Sequence, residues 1–461
     1  MQASSRFRGS ERARRSHVFA VAALCAGVGC GDDSQVTPGG GGDVDASTVD
    51  VSVDAAHLTP VLEASDQLCK LLNGRNVSDP TANQVQFRAN VLGADLGIPV
   101  EVDDKLFIFF GDTIGFAGIW GGGQSHPDAV GYAIDSATAV ATHPELLCTR
   151  LGIVTLPAAN SVGPGLDNRI QADFAAGAMI APPNHGLGEY IRNPSGAGSS
   201  RFAQLPGDFE VPSGAFAYGG SIYLLYTTVV STTDITMKGS YLARWQTPST
   251  TAIPGYQILY TVDQRFDANG PLHGDFINVA TQVHGDHVYL FGTGAYRESP
   301  VRLARKRLDS LATPGGFELF DATSMTWSPS ARGTPIIAPA GYGETSVRYF
   351  ENIDRWMFLA EEQVGGHNQI VARFADRPEG PWGAAIVVHD MGDGAFRTRY
   401  CCAPENSCSG PQFMNCSRTG FYGTYLMPSA ARDGDRFSVT YTMSSFDPYN
   451  VALFQATFAL R

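Results

Sequence analysis

Five times along the chain an apolar run follows a turn rich in Asp, Gly and Asn, and a small-residue run reading Leu-Ala-Arg or a near relative comes after it. The apolar runs are residues 106–110, 222–226, 288–291, 356–359 and 437–441, and the small-residue runs centre on Ala133, Ala243, Ala304, Ala372 and Ala452. Successive alanine centres are 110, 61, 68 and 80 residues apart, so the period is loose but the order is constant. A repeated strand-turn-strand unit of this kind predicts the blades of a β-propeller. The reading is an all-β chain, a five-bladed β-propeller carried on a disordered N-terminal tether. The blades fall at about 90–135, 209–262, 274–328, 342–390 and 420–461. In blade one, residues 94–102 form the inner strand and 105–112 the second.

The last blade offers three strands before the chain ends, so the segment 84–89 is expected to supply a fourth and cover the open sheet edge. The long connection 136–208, with its Pro and Gly clusters and some strand signal at 151–156, reads as a functional loop over one face.

The composition agrees with this picture. Of 461 residues 43% are hydrophobic and 52 are glycine, enough for a large core with many turns. A formal net charge of −13 disfavours nucleic acid, which requires a basic stripe. Residues 1–30 are excluded from the fold. Arg6, Arg8, Arg12, Arg14 and Arg15 precede an apolar run at 18–28 and then Gly29-Cys30, the layout of an export signal. The small residues before Cys30 resemble a bacterial lipoprotein box, which implies lipidation at Cys30 and a place in the bacterial cell envelope, lipid-anchored or secreted. Ordinary signal-peptidase cleavage nearby is the alternative. Residues 31–58 read as a flexible, acidic, Gly-rich linker, and 59–461 as the propeller. Beyond Cys25 and Cys30 six cysteines remain: Cys69, Cys148, Cys401, Cys402, Cys408 and Cys416. An even number in an exported chain predicts disulfides, with 15 pairings open and zinc a poor second.

In a propeller the innermost strands point one end at a common mouth. Counting back 11 residues from each apolar run reaches Asp95, Val211, Ile277, Thr345 and Leu426. Beside these heads stand Ser213, Asp275, Asn278, Glu344, Tyr422 and Tyr425. The returning second strands add Asp112 and the turn with Tyr296 and Arg297. Separated carboxylates around one mouth fit glycoside cleavage, in which one acid protonates the leaving oxygen while another carboxylate activates water or attacks the anomeric carbon. Asp95 is read as base or nucleophile, Glu344 as general acid, and Asp275 as a modulating or sugar-binding carboxylate. Asp112, Asn278, Tyr296, Arg297, Arg348, Tyr422 and Tyr425 are read as substrate-binding, with Trp120 a further stacking candidate.

Plainer readings stand beside these. Asp112 satisfies turn amides, Arg348 pairs with Glu344, and Ser213 is a turn residue without a nucleophile-elbow context. His273 and His284 are ordinary solvated or core residues. No cofactor is expected beyond a structural calcium ion in the channel. The partners are a polysaccharide substrate and, through Cys30, a membrane, with the protein a monomer.

Several motifs resemble, in the same order, those of a bacterial five-bladed propeller family long labelled as of unknown function. They are Gly93-Ala94-Asp95-Leu96-Gly97, Phe110-Gly111-Asp112-Thr113, Pro127-Asp128-Ala129, Gly292-Thr293-Gly294 with Tyr296-Arg297, Gly343-Glu344-Thr345-Ser346-Val347-Arg348, Glu379-Gly380-Pro381-Trp382, Tyr422-Gly423 and the stretch 445–450. Some members of that family are endo-D-arabinanases acting on mycobacterial-type cell-wall arabinan. The resemblance spans about residues 90–455. It implies the propeller, a carbohydrate context and acidic active-site residues at Asp95 and Glu344. A non-catalytic carbohydrate- or protein-binding propeller is the rival reading.

Overall fold

The structure, a computed structural model, describes residues 59–73, 82–85, 91, 93–113, 128–154, 209–230, 236–251, 256–265, 267–338, 341–403 and 408–461. Cys25, Cys30, the 31–58 linker, Trp120 and residues 155–208 of the long connection lie outside the described residues. The sheets fall in the compact unit His57–Arg461.

Among the described residues twenty-one strands build five antiparallel sheets, the five blades. The outermost strand of blade five comes first in the chain, β1 (Pro60–Asn73). Blade one is β2 (Leu96–Val102), β3 (Lys105–Asp112), β4 (Asp128–Ala133) and β5 (Leu151–Ile153). Blade two is β6 (Phe209–Tyr218), β7 (Ser221–Val229), β8 (Met237–Trp245) and β9 (Tyr256–Gln264). Blade three is β10 (Asn278–His284), β11 (His287–Thr293), β12 (Arg302–Arg307), β13 (Phe317–Asp321) and β14 (Thr326–Ser328). Blade four is β15 (Tyr342–Phe350), β16 (Arg355–Val364), β17 (His367–Ala375) and β18 (Ile386–Asp390). Blade five is β19 (Tyr422–Asp433), β20 (Arg436–Phe446) and β21 (Tyr449–Leu460), with β1 outside.

The apolar runs are the second strands, buried on both faces because a blade has a neighbour on each side. Alternation sorts their side chains: Phe107 and Phe109 pack toward blade two, while Leu106, Ile108 and Phe110 pack toward blade five. Among the described residues five large apolar clusters result, one in each seam between adjacent blades, and Val229, Met237 and Ile277 form a small sixth. The innermost strands β2, β6, β10, β15 and β19 stand around a central channel. Ile98, Ser213, Thr281, Thr345 and Tyr425 line a small cavity there. Arg348 crosses it, donating from Nη2 to the Pro99 carbonyl (2.6 Å) and from Nε to the Leu426 carbonyl (3.3 Å).

The ring is closed from the N-terminus, but not by the expected segment. β1 pairs along the whole of β21, from Pro60 opposite Leu460 to Asn73 opposite Asn450. β1 takes the place expected of 84–89, of which 86–89 lie outside the described residues. The interleaved charges of 60–73 (Glu63, Asp66, Lys70) mask its alternation, yet an outermost strand tolerates them because one edge faces solvent. Blade one also extends further than expected. After a short helix (Ala137–Thr142) and a 3-10 turn (Pro144–Cys148), the chain adds β5. The six cysteines pair as Cys69–Cys148, Cys401–Cys416 and Cys402–Cys408. The first joins β1 to the end of the 3-10 turn, tying the closing strand of blade five to blade one.

Candidate functional site

Four of the five innermost strands carry a register shift at the same end. The shifts lie between Leu96 and Ile98, Pro212 and Gly214, Tyr342 and Thr345, and Tyr422 and Tyr425. A β-bulge re-aims side chains and interrupts pairing. Here the shifts lie beside Asp95, Glu210, Glu344 and Tyr422. The second strands return to this mouth with Asp112 and Glu361, and the third strands start from it with Asp128 and Tyr449.

On one side Asp95 immediately precedes β2 and is 7% exposed. Its Oδ2 accepts a 2.7 Å hydrogen bond from the Tyr422 hydroxyl, while Oδ1 is buried without a partner among the described residues. Gly111, opposite, leaves room for that carboxylate, since a Cβ there would overlap Asp95 Oδ1. Burial first, and then the negative charges of Asp112 and Glu344, hold the Asp95 carboxyl well above the usual range against the opposing Tyr422 bond. Asp112 and Asp128 face each other across β3 and β4. Asp128 is 3% exposed, neither of its oxygens has a hydrogen-bond partner among the described residues, and its pKa is likewise raised by burial, Asp112, Glu210 and Asp95.

On the other side Glu344, in β15, is also 7% exposed, and its Oε2 accepts a 3.1 Å hydrogen bond from the Tyr296 hydroxyl. The Arg297 guanidinium lies 4.7 Å from the Tyr296 ring centroid and donates from Nε (3.0 Å) and Nη2 (2.8 Å) to Glu361 Oε2. Glu361 is fully buried, and burial pushes its carboxyl up to about 8, with Arg297 opposing and Glu344 adding to the rise. Tyr425 links the two sides. Its hydroxyl is buried without a partner among the described residues, and its pKa is raised by burial and then by Glu344 and Asp95 together. Burial and the neighbouring carboxylates likewise raise Tyr296 and Tyr422, keeping them hydrogen-bond donors.

The structure thus brings together Asp95, Asp112, Glu344, Tyr296, Arg297, Tyr422 and Tyr425. Asn278 heads β10, 2% exposed, with its Oδ1 lacking a partner among the described residues. Asp275 departs from expectation. Arg332 grips both its oxygens at 2.7 Å, and Arg302 adds a 3.1 Å contact, so its charge is neutralised in a local ion cluster. Arg348 departs too: it braces the channel rather than pairing with Glu344 or reaching the mouth. Burial holds its guanidinium down at about 10. Ser213 bonds the Leu225 carbonyl, His273 Nδ1 lies 2.9 Å from the Ala268 carbonyl, and His284 packs against Tyr349 and Trp356. Among the described residues no group of three or more His, Cys, Asp or Glu is arranged to hold a metal ion.

Asp128, Glu210 and Glu361 were not singled out by the sequence pattern. Asp128 had a signal in the Pro-Asp-Ala motif, and Glu210 stands one residue before the counted head of blade two. Glu361 had none, because Glu361-Glu362-Gln363 reads as an exposed strand end.

The profile of a family described as a domain of unknown function, DUF4185, matches residues 200–455, more than half of the chain. No curated protein matches the chain. Among solved structures it is similar to a Bacteroides ovatus protein described as a candidate hydrolase, at 14% identity and TM-score 0.49, with 81% of this chain and 89% of that one covered. It is also similar to the α-L-arabinofuranosidase of Podospora anserina, at 10% identity and TM-score 0.44, covering 84% and 94%. A third is the catalytic domain of the Coprinopsis cinerea GH62 α-L-arabinofuranosidase, at 11% identity and TM-score 0.46, covering 87% and 98%.

Proposed function

This chain belongs to the DUF4185 family, and we propose that it is a glycoside hydrolase cleaving furanosidic polysaccharide, D-arabinan foremost, while anchored to the bacterial envelope through a lipid on Cys30. The observation that carries the reading is the pair of buried carboxyls Asp95 and Glu344. Each takes a hydrogen bond from its own tyrosine, and both act electrostatically on Tyr425 between them. The furanoside class rests on the motif resemblance around Asp95 and Glu344, and the anchor on the export signal ending at Cys30.

Electrostatics favour exchanging the roles read from the sequence. Burial and the Asp112 charge push the Asp95 carboxyl well above the usual carboxylate range, the direction a general acid needs. Asp95 gives its proton to the glycosidic oxygen as the bond from the anomeric carbon to that oxygen breaks. Glu344, near the Arg297 cation, takes a proton from attacking water or attacks the anomeric carbon itself. Where water attacks directly, exchange with solvent takes the proton from Glu344 and returns one to Asp95; where Glu344 attacks, the Asp95 carboxylate takes a proton from the water that then breaks the glycosyl–Glu344 bond. Asp128 and Asp112 line the Asp95 side as acceptors for sugar hydroxyls.

The test is release of reducing ends from arabinan by the mature protein and its Asp95→Asn and Glu344→Gln variants, with aryl furanosides run in parallel. An aryl leaving group needs no protonation, so Asp95→Asn should lose at least about a hundredfold on polymer and far less on the aryl substrate. Glu344→Gln should lose both activities. Wild-type rates in both variants would reject the site. Palmitate labelling abolished by Cys30→Ser checks the anchor.

A further inference from the structure

We propose that Glu361 is a positioning residue which, through Arg297 and Tyr296, sets the orientation of Glu344; this rests on the reading of Glu344 as the reacting carboxylate. Three contacts connect them. Both Nε and Nη2 of Arg297 converge on the single oxygen Oε2 of Glu361, the Arg297 guanidinium covers the Tyr296 ring at 4.7 Å, and the Tyr296 hydroxyl donates to Glu344 Oε2 at 3.1 Å. The carrier turn is itself held in place. Arg297 has a left-handed backbone (φ 58°), and its N–H donates to the Tyr342 carbonyl at 3.1 Å, beside the bulge that presents Glu344. Gly343 within that bulge leaves the space Glu361 fills, since a Cβ there would overlap Glu361 Oε2.

Stability alone does not account for this arrangement. Burying an ion pair costs desolvation that an apolar pair of similar volume avoids, and here Glu361 Oε1 also lies buried with no partner among the described residues. The charged and titratable groups acting on Glu361 are Arg297 from the turn after β11 and Glu344 from β15, and Glu361 in turn acts on Tyr296. Glu361 therefore fixes where the Arg297 guanidinium sits at the mouth.

Two variants separate the Arg297 contact from the bulk of the side chain. Glu361→Gln keeps an acceptor for Arg297, and its kcat should stay within about threefold of wild type. Glu361→Ala releases Arg297. Its kcat should fall about thirtyfold or more with KM nearly unchanged, and its crystal structure should show Arg297 off the Tyr296 ring and the Tyr296–Glu344 bond broken. If Glu361→Ala does not fold, Glu361→Met, which fills the site without an acceptor, takes its place and should show the same fall in kcat. Wild-type kcat, or an intact Tyr296–Glu344 bond, in the variant that lacks the acceptor overturns the proposal. Full activity in Glu344→Gln, or no furanoside hydrolysis by the wild type, rejects the functional reading instead, and the crystallographic arm still tests whether Glu361 holds Tyr296.

Discussion

The Tyr422 hydroxyl donates a 2.7 Å hydrogen bond to Asp95 Oδ2 across 327 residues of chain, joining the innermost strands of blades five and one at the mouth. That bond favours the ionised carboxylate, and burial with the Asp112 charge disfavours it more strongly. The balance sets when Asp95 loses its proton.

Removing the tyrosine hydroxyl shifts this balance in a known direction. Tyr422→Phe takes away the one contribution that lowers the Asp95 pKa through a side chain, so Asp95 holds its proton to higher pH. With Asp95 as general acid, the alkaline limb of kcat/KM on arabinan moves up. We expect kcat to fall about tenfold from lost orientation. An alkaline limb that moves down would return Asp95 to the role of base.

The blades were legible because each second strand is buried on both faces and reads as a continuous apolar run, here Phe107 to Phe110 or Trp356 to Leu359. Asp95 and Glu344 were legible because they stand at fixed offsets from those runs. The carboxylates of Asp275 and Glu361 were not, because their environments come from elsewhere in the chain. Asp275 is neutralised by Arg302 and Arg332, 27 and 57 residues away. Glu361 meets Arg297 64 residues away, across a bulge whose location sequence does not announce. β1 was misplaced for a related reason. Its partner β21 is at the far end of the chain, and the register that makes 60–73 a strand exists only once the ring has closed.

The Cys69–Cys148 disulfide spans 79 residues and ties the closing strand to blade one. A loop of that length contributes about 4 kcal/mol in the chain-entropy account. A Cys69→Ser/Cys148→Ser pair should therefore melt well below wild type and aggregate on heating as β1 frays and exposes the edge of β21. Light scattering during thermal melts checks this. An unchanged melting temperature would show that β1 stays docked through its ladder alone.

His389 is buried in the seam between blades four and five, its Nε2 3.0 Å from Ser65 Oγ on the closing strand. Burial lowers its pKa to about 4, against about 6.5 unfolded. The folded chain therefore resists the proton that the unfolded chain accepts. Stability is full above about pH 6.5 and is lost as pH falls toward 4, by about 3 kcal/mol. Urea midpoints measured across that window should fall for wild type and fall less for His389→Gln, which cannot take up the proton.

Asp95 places an opposite load on the fold. Its carboxyl is held well above the unfolded value of about 3.9. Below pH 4 both states carry the proton and the group costs nothing by linkage. As pH rises, the unfolded chain ionises freely while the folded chain keeps its proton, so stability falls by up to about 1.4 kcal/mol per pH unit until the folded pKa is reached. Asn is isosteric, accepts the Tyr422 bond through its carbonyl, and has no proton to lose. Asp95→Asn should therefore be more stable than wild type at pH 7, with a gap that shrinks steadily toward pH 4, while activity on polymer is lost. Chemical denaturation of both proteins at pH 4, 5.5 and 7 measures that gap. A constant difference across the series would mean that Asp95 ionises in the native state as readily as in the unfolded chain, and the assignment of the general acid would pass to Glu344.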